Sequence, residues 1–177
     1  MKKTEKMDGV VVGIVKDLDD DEHQGRIRVQ FPWLGETPLS AWAPVAAALA
    51  GKKRGAFLMP EKDDEVLVAF ERGDFDHPFI IGFLWNGADA PPETTNQNRV
   101  ILTPGGHTLR FEDKEGDRRV ILRSSGGHQI ALDDAGKKLT VTTKGGLSLT
   151  MDDSGPSITL KGGQRMITME NGKIEFT

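Results

Sequence analysis

Four segments of the chain's second half repeat one pattern: GGHTLRFED from Gly105, GGHQIALDD from Gly126, GGLSLTMDD from Gly145 and GGQRMITMEN from Gly162. Each is a glycine pair, a short alternating strand and an acidic turn, and the intervals shrink from 21 to 19 to 17 residues. Such self-similarity marks a stack of one supersecondary unit. In the outgoing strands His107, Leu109 and Phe111 share a face with period two; His128, Ile130 and Leu132, then Leu147, Leu149 and Met151, match them, and Ile167 and Met169 follow after a one-residue shift. The return strands carry Val120 and Leu122, Leu139 and Val141, Ile158 and Leu160, then Ile174 and Phe176, alternating with Arg, Thr, Ser, Lys and Glu. Period two means one apolar face and one wet face. The turns DKEGDRR, DDAGKK, DDSGPS and ENGK have the Asp, Asn and Gly content of tight hairpin turns.

A stack of such hairpins offers a single apolar stripe, and this half has no second layer to cover it. Left bare, a sheet of this kind aggregates through its face and edges. The pattern calls for a solenoid wound on itself, or for several identical chains whose stripes meet on a common axis. The glycine pairs favour the second, as corners where backbones approach too closely for a β-carbon. The alternative is an antiparallel meander packed on the first half as a sandwich. A sandwich gives no reason for shrinking periods in a shared register.

The first half has a different grammar. Short strands are expected near Val10 to Lys16, Arg26 to Phe31, Ala41 to Val45, Glu65 to Phe70 and Pro78 to Leu84, with room for a helical turn over Ala46 to Ala50 in AAALAGKKRGAF. Five strands and one short insert make the inventory of an OB-fold barrel. The expected organisation is an N-terminal extension over 1–8, a barrel over 9–85, a polar linker over 86–98 (NGADAPPETTNQN) and repeats over 99–177. The fold class is all-β. A hydrophobic content of 37%, against roughly 45–50% in globular domains, allows one modest core.

The first half also resembles a known module. The residues that carry the likeness are the G-x-V near Gly13 to Val15, GRIRVQFPWL from Gly25 to Leu34, SAWAPV from Ser40, PEKDDEVLVAF from Pro60 to Phe70 and DFDHPFIIGFLWNG from Asp74 to Gly87. Together they resemble the OB-fold module of contractile-injection spike proteins, the phage baseplate assembly protein V and VgrG family, over about residues 9 to 92. The resemblance implies a trimeric, intertwined β-helical needle after the barrel, and family likeness alone supplies the number three. It implies a homotrimeric spike at the tip of an inner tube, driven through a target membrane and travelling with effectors. VgrG's large N-terminal hub domains have no counterpart in the sequence, so a separate baseplate hub protein is expected to join it to the tube. The lysozyme insert and the iron-holding His-x-His pair of some phage spikes are not matched either. The predicted trimer core is Leu109, Phe111, Val120, Leu122, Ile130, Leu132, Leu139, Val141, Leu147, Leu149, Met151, Ile158, Leu160, Ile167 and Met169. Ile174 and Phe176 end the apolar axis without a polar cap, and a PAAR-type tip protein is expected to sit on them.

Other residues read more plainly. His107 and His128 hold equivalent inward positions and offer axial rings, or local hydrogen bonding at the glycine corners. The Asp133-Asp134 and Asp152-Asp153 pairs lack the nonapeptide spacing of calcium β-rolls and suit turn chemistry. The acidic run Asp17 to Glu22 reads as a solvated loop, or the side where a hub docks. Trp33, Trp42 and Trp85 have no interleaved basic residues in sequence and suit packing better than base stacking. A net charge of −4 argues against nucleic acid as partner, and the lack of cysteine excludes disulfides and thiolate metal sites. No catalytic spacing stands out, so no enzyme activity, cofactor or metal is expected. MKKTEKMDG lacks the apolar stretch of a signal peptide, so cytoplasmic synthesis is expected, with delivery to the outside only on firing. The rival functions are a single-stranded nucleic-acid binder and a glycan-binding tail fibre.

Overall fold

A computed structural model describes residues 6–35 and 39–177, so residues 1–5 of the expected N-terminal extension lie outside the described part. Its contacts divide into two compact units between Ala90 and Pro91.

In the first unit β1 (Val10–Asp17), β2 (Arg26–Gln30) and β3 (Ala43–Pro44) are followed by a small hairpin, β4 (Ala50–Gly51) and β5 (Arg54–Gly55), then by β6 (Glu65–Phe70) and β7 (Pro78–Phe83). The sheet order is β3-β2-β1-β6-β7. A parallel bridge between Val45 and Ile80 joins the two ends, with the Ala46 amide donating to the Ile80 carbonyl at 2.8 Å. The result is a nearly closed five-stranded barrel, the OB fold expected from the sequence. β3 is shorter than expected because Pro44 has no amide to donate, and β2 stops at Gln30 where a 3-10 turn, Pro32–Leu34, begins. No helical turn forms over Ala46 to Ala50. The alanine-rich run has helical propensity, but it bends at Ala48 and Leu49, and Ala50 and Gly51 pair with Gly55 and Arg54 across the Lys52-Lys53 turn.

The barrel interior follows the period-two pattern: Val15, Ile27, Val29, Phe31, Ala43, Val66, Val68, Phe70 and Ile80 are buried together. Phe31, Phe70 and Phe75 close one part of it, with ring centroids 5.3–5.8 Å apart. Gly13 is the inward position where β1 runs closest to its neighbours. A β-carbon there would stand 3.0 Å from Val29 Cγ2 and 3.1 Å from Val68 Cγ2.

The second unit is one antiparallel sheet of nine strands: β8 (Asn98–Leu102), β9 (Thr108–Glu112), β10 (Arg119–Arg123), β11 (Gln129–Asp133), β12 (Lys138–Thr142), β13 (Ser148–Asp152), β14 (Ser157–Gly162), β15 (Arg165–Glu170) and β16 (Lys173–Phe176). Spatial order equals chain order. This changes one expectation. Strands β9 to β15 have both hydrogen-bonding edges filled by neighbours of the same chain, so the intertwining that the resemblance implies has no free backbone edge to use in these strands. Only a side-chain face and the edge strands β8 and β16 are left for other molecules.

The glycine pairs also act otherwise than expected. Their second members, Gly106, Gly127, Gly146 and Gly163, have φ of 81°, 88°, 84° and 64°, the left-handed region that costs other residues about 1–2 kcal/mol. A β-carbon at Gly145, Gly146, Gly162 or Gly163 would meet no atom of the chain closer than 3.9 Å. The pair is thus demanded by backbone dihedral, not by crowding within the chain. The first three corners share a further device that the sequence reading missed. A hydroxyl residue two before the pair, Thr103, Ser124 or Thr143, accepts from the amide of the residue after it, His107, His128 or Leu147, at 3.0–3.1 Å. The fourth corner lacks that hydroxyl and shortens to the two-residue turn Gly163-Gln164 between paired Gly162 and Arg165, which accounts for the one-residue shift of the last copy.

Replacing Gly13 with Ala is expected to lower barrel stability by about 1–3 kcal/mol, the ordinary cost of overpacking a filled core. Urea unfolding followed by tryptophan fluorescence reads it, since all three tryptophans lie in the first unit; an unchanged midpoint would contradict the packing.

Candidate functional site

Residues directly opposite in an antiparallel pair point to the same side of the sheet, so the register fixes which side chains share a face. One row runs Ile101, Leu109, Leu122, Ile130, Val141, Leu149, Leu160, Ile167, Phe176. A second runs Phe111, Val120, Leu132, Leu139, Met151, Ile158, Met169, Ile174, with Arg99 at its β8 end. Fourteen of the fifteen residues named for the trimer core occupy these rows, and Leu147 stands beside them at a corner. Ile174 and Phe176 lie on the same face of the edge strand β16. Ile101 is an addition: β8 precedes the first glycine pair, so no repeat announces it.

The face is bare. Every buried hydrophobic among the described residues belongs to the barrel, and none to the sheet. Leu122 is 52% exposed, Leu160 44% and Phe176 76%. Nine strands at about 4.8 Å spacing make a stripe about 40 Å long and about 10 Å wide. That is roughly 400 Å² of contiguous apolar surface, at the scale where monomers show a binding site.

The opposite face is mixed at its β8–β11 end, where Val100, Ile121 and Ala131 flank Arg110, and polar along most of the rest. A central column runs Thr140, Thr150, Thr159, Thr168, β-branched residues suited to cross-strand contact. Beside it Glu112, Arg119, Asp133, Lys138 and Asp152 alternate in sign across consecutive strands. Arg119 lies 3.9 Å from Glu112 and 3.5 Å from Asp133, and Lys138 2.9 Å from Asp152. Each such pair is worth only about 0.2–1 kcal/mol, but their alternation opposes a register slip, which would turn the apolar rows to water. Asp133 also accepts from the Gly136 amide at 2.7 Å and Asp152 from the Ser154 amide at 2.9 Å. The Ser154 hydroxyl, then Lys138, hold the Asp152 carboxyl well below the usual range. These acidic pairs are turn and ladder residues.

Two sites, Asp20 and Trp42, carry interactions the sequence did not announce. Asp20, inside the acidic run, is buried; it accepts from the Arg26 guanidinium at 2.6 Å and from the amides of Gln24 and Arg26 at 2.9 and 3.2 Å. The loop is therefore tied to β2 at its centre, and Asp20 titrates well below an ordinary carboxyl, chiefly through Arg26. Trp42 does have basic neighbours, Arg26 at 6.0 Å and Arg28 at 5.6 Å from its ring, supplied by the adjacent strand. Both arginines are engaged, Arg26 by Asp20 and Arg28 by the Ser40 carbonyl at 3.1 Å, so this is a packed cation–π pair. His107 Nδ1 accepts from the Ser125 amide at 3.3 Å, a local corner bond.

Within the segment read as a linker, Glu93 accepts from the Thr94 and Thr95 amides at 2.8 Å and from Asn98 at 2.9 Å, and pairs with Arg110 of β9 at 2.7 Å. The Thr95 amide foremost, then Asn98, pull its carboxyl down to about 2. A depressed carboxylate stabilises above its unfolded value and loses that contribution as pH falls toward the folded one. Protection of the Thr94 and Thr95 amides from hydrogen exchange is thus expected to fall between pH 4.5 and about 2. In Glu93→Gln protection should be low at every pH; wild-type protection that ignores pH over this window would refute the anchor.

Residues 11–85 match the family model described as the type VI secretion system/phage-baseplate injector OB domain. The chain is similar to the type VI secretion system spike proteins VgrG4b and VgrG5 of Pseudomonas aeruginosa, 34% identical over 116 and 128 residues, or 58% and 65% of this chain. It is 30% identical over 136 residues, 67% of the chain, to the actin cross-linking toxin VgrG1 of Vibrio cholerae. Each alignment covers more of the chain than the first unit holds, and so reaches into the sheet. The aligned stretch is 12–16% of each relative's own length. The barrel is thus an OB domain of the type VI secretion system/phage-baseplate injector kind, and VgrG spike proteins are among the chain's relatives.

Proposed function

We propose that this chain is a structural spike component of a contractile injection system, active as a homotrimer. The uncovered, register-continuous apolar stripe carries the reading. Three copies, each presenting one sheet, bury their stripes against one another around an axis and turn the threonine and charge columns outward, as the three sides of a prism. Burying a half-exposed leucine or phenylalanine contributes on the order of 1 kcal/mol, and with seventeen such side chains per copy the sum exceeds the cost of association, itself put at about 4–15 kcal/mol. Relatives named as spike proteins and the injector OB domain support the same role.

On this reading the barrel is a collar that meets a baseplate hub protein, and the β16 end, with Ile174 and Phe176 exposed, seats a PAAR-type tip protein. The chain's part is mechanical: it bears load while the particle pierces a target membrane with any effector it carries, and it catalyses nothing itself. Assembly takes place in the cytoplasm before delivery. Neither the nucleic-acid nor the glycan reading gains support, the arginines beside Trp42 being already engaged.

Light scattering of the full chain is expected to give three times the chain mass of 19.4 kDa. Leu139→Asp with Val141→Asp, mid-stripe on β12, should reduce it to the monomer with the barrel still folded by tryptophan fluorescence. A monomeric wild type, or a double variant that stays trimeric, would overturn the proposal.

A further inference from the structure

The barrel has surface features that neither its core nor the sheet stripe uses. The hairpin between β3 and β6 stands out as an arm with Leu49, Phe57 and Leu58 exposed at 55%, 79% and 63%. Beneath it lies a groove of about 660 Å³ reaching Gln24, Gly25 and Phe83. The outward face of β7 is apolar as well, with Phe79 39% and Ile81 45% exposed. At the arm's tip Lys52 and Lys53 are exposed and make no ion pair among the described residues. The acidic loop after β1 is held by its buried Asp20 on Arg26, which leaves Asp19 and Asp21 exposed and equally without an ion pair. The loop is pre-organised, and its charge is opposite to that of the arm.

We propose that the arm docks on a second copy of this chain: Lys52 and Lys53 of one protomer meet Asp19 and Asp21 of the next, while Leu49, Phe57 and Leu58 pack on the outward face of β7. The contact joins unlike surfaces, so it is head-to-tail, and such a contact closes into a ring when the rotation permits. Gln24 and Gly25, lining the groove under the arm, also end the acidic loop, so both halves of the contact lie at one end of the barrel, as a ring around an axis along the barrel requires. Opposite charges on arm and loop set partner and register; the apolar residues supply the buried area. The inference rests on the trimer proposed above and adds a clasp between its barrels.

Zero-length carbodiimide coupling of the full chain at low salt tests it, because the reagent joins an amine to a carboxylate only in contact. Covalent dimer and trimer bands are expected, with peptides joining Lys52 or Lys53 to Asp19 or Asp21. Lys52→Glu with Lys53→Glu should reduce those links at least tenfold, and adding Asp19→Lys with Asp21→Lys should restore them. A trimeric mass with no such links, links found only in the monomer band, or a charge swap that fails to restore them would overturn the clasp and leave the trimer standing. A monomeric wild type would overturn both.

Discussion

The second half of this molecule depends on strict antiparallel register. Because opposed residues share a face, a single choice of pairing aligns apolar side chains from nine consecutive strands into two unbroken rows, and the same choice stacks threonines and alternating charges on the other side. The corners enforce that choice. A left-handed glycine and a hydroxyl cap fix the length of each of the first three turns, and the two-residue turns near the C-terminus keep the register where the hydroxyl is missing. The consequence is a sheet that satisfies its interior backbone hydrogen bonds alone and leaves its hydrophobic face to be covered by others. On the proposed reading that division suits a load-bearing part: the backbone ladder gives each copy a defined form, and the side-chain face is the surface through which copies hold together.

The barrel solves the opposite problem. It closes on itself through the Val45–Ile80 bridge and buries its own core, with Gly13 marking how tightly the walls meet. Its unsatisfied surface is local, in the arm and the outer face of β7, where the sheet's is spread along its whole length. One half buries its own core, and the other leaves its apolar face exposed.

Much of this was legible in the sequence because hairpins of matched length preserve parity: once the turns were placed, every second residue from Leu109 to Phe176 could be assigned to the stripe. The barrel strands were legible by alternation around Val15, Val29 and Val68. Ile101 was missed because β8 lacks the glycine pair that announces the other outgoing strands. The arm was misread because alanine propensity favours helix where a Lys52-Lys53 turn imposes a hairpin. Asp20 looked like one more solvated carboxylate because nothing in an acidic run reveals which member meets an arginine on the next strand. The glycine pairs were recognised but explained by crowding, when the left-handed φ of their second members is the operative constraint. The intertwined needle came from the family resemblance, and no sequence signal revealed that β9 to β15 pair on both edges with neighbours of their own chain.

The central claim is that the stripe is buried between copies, and the chain contains its own control. Met151 and Met169 lie on the stripe and Met166 on the opposite face, yet within one chain they are exposed alike, at 41%, 37% and 38%. Under dilute hydrogen peroxide, with oxidation followed residue by residue, the account predicts rapid conversion of Met166 to the sulfoxide while Met151 and Met169 stay reduced. Equal oxidation of all three would show that the stripe faces water and would contradict it.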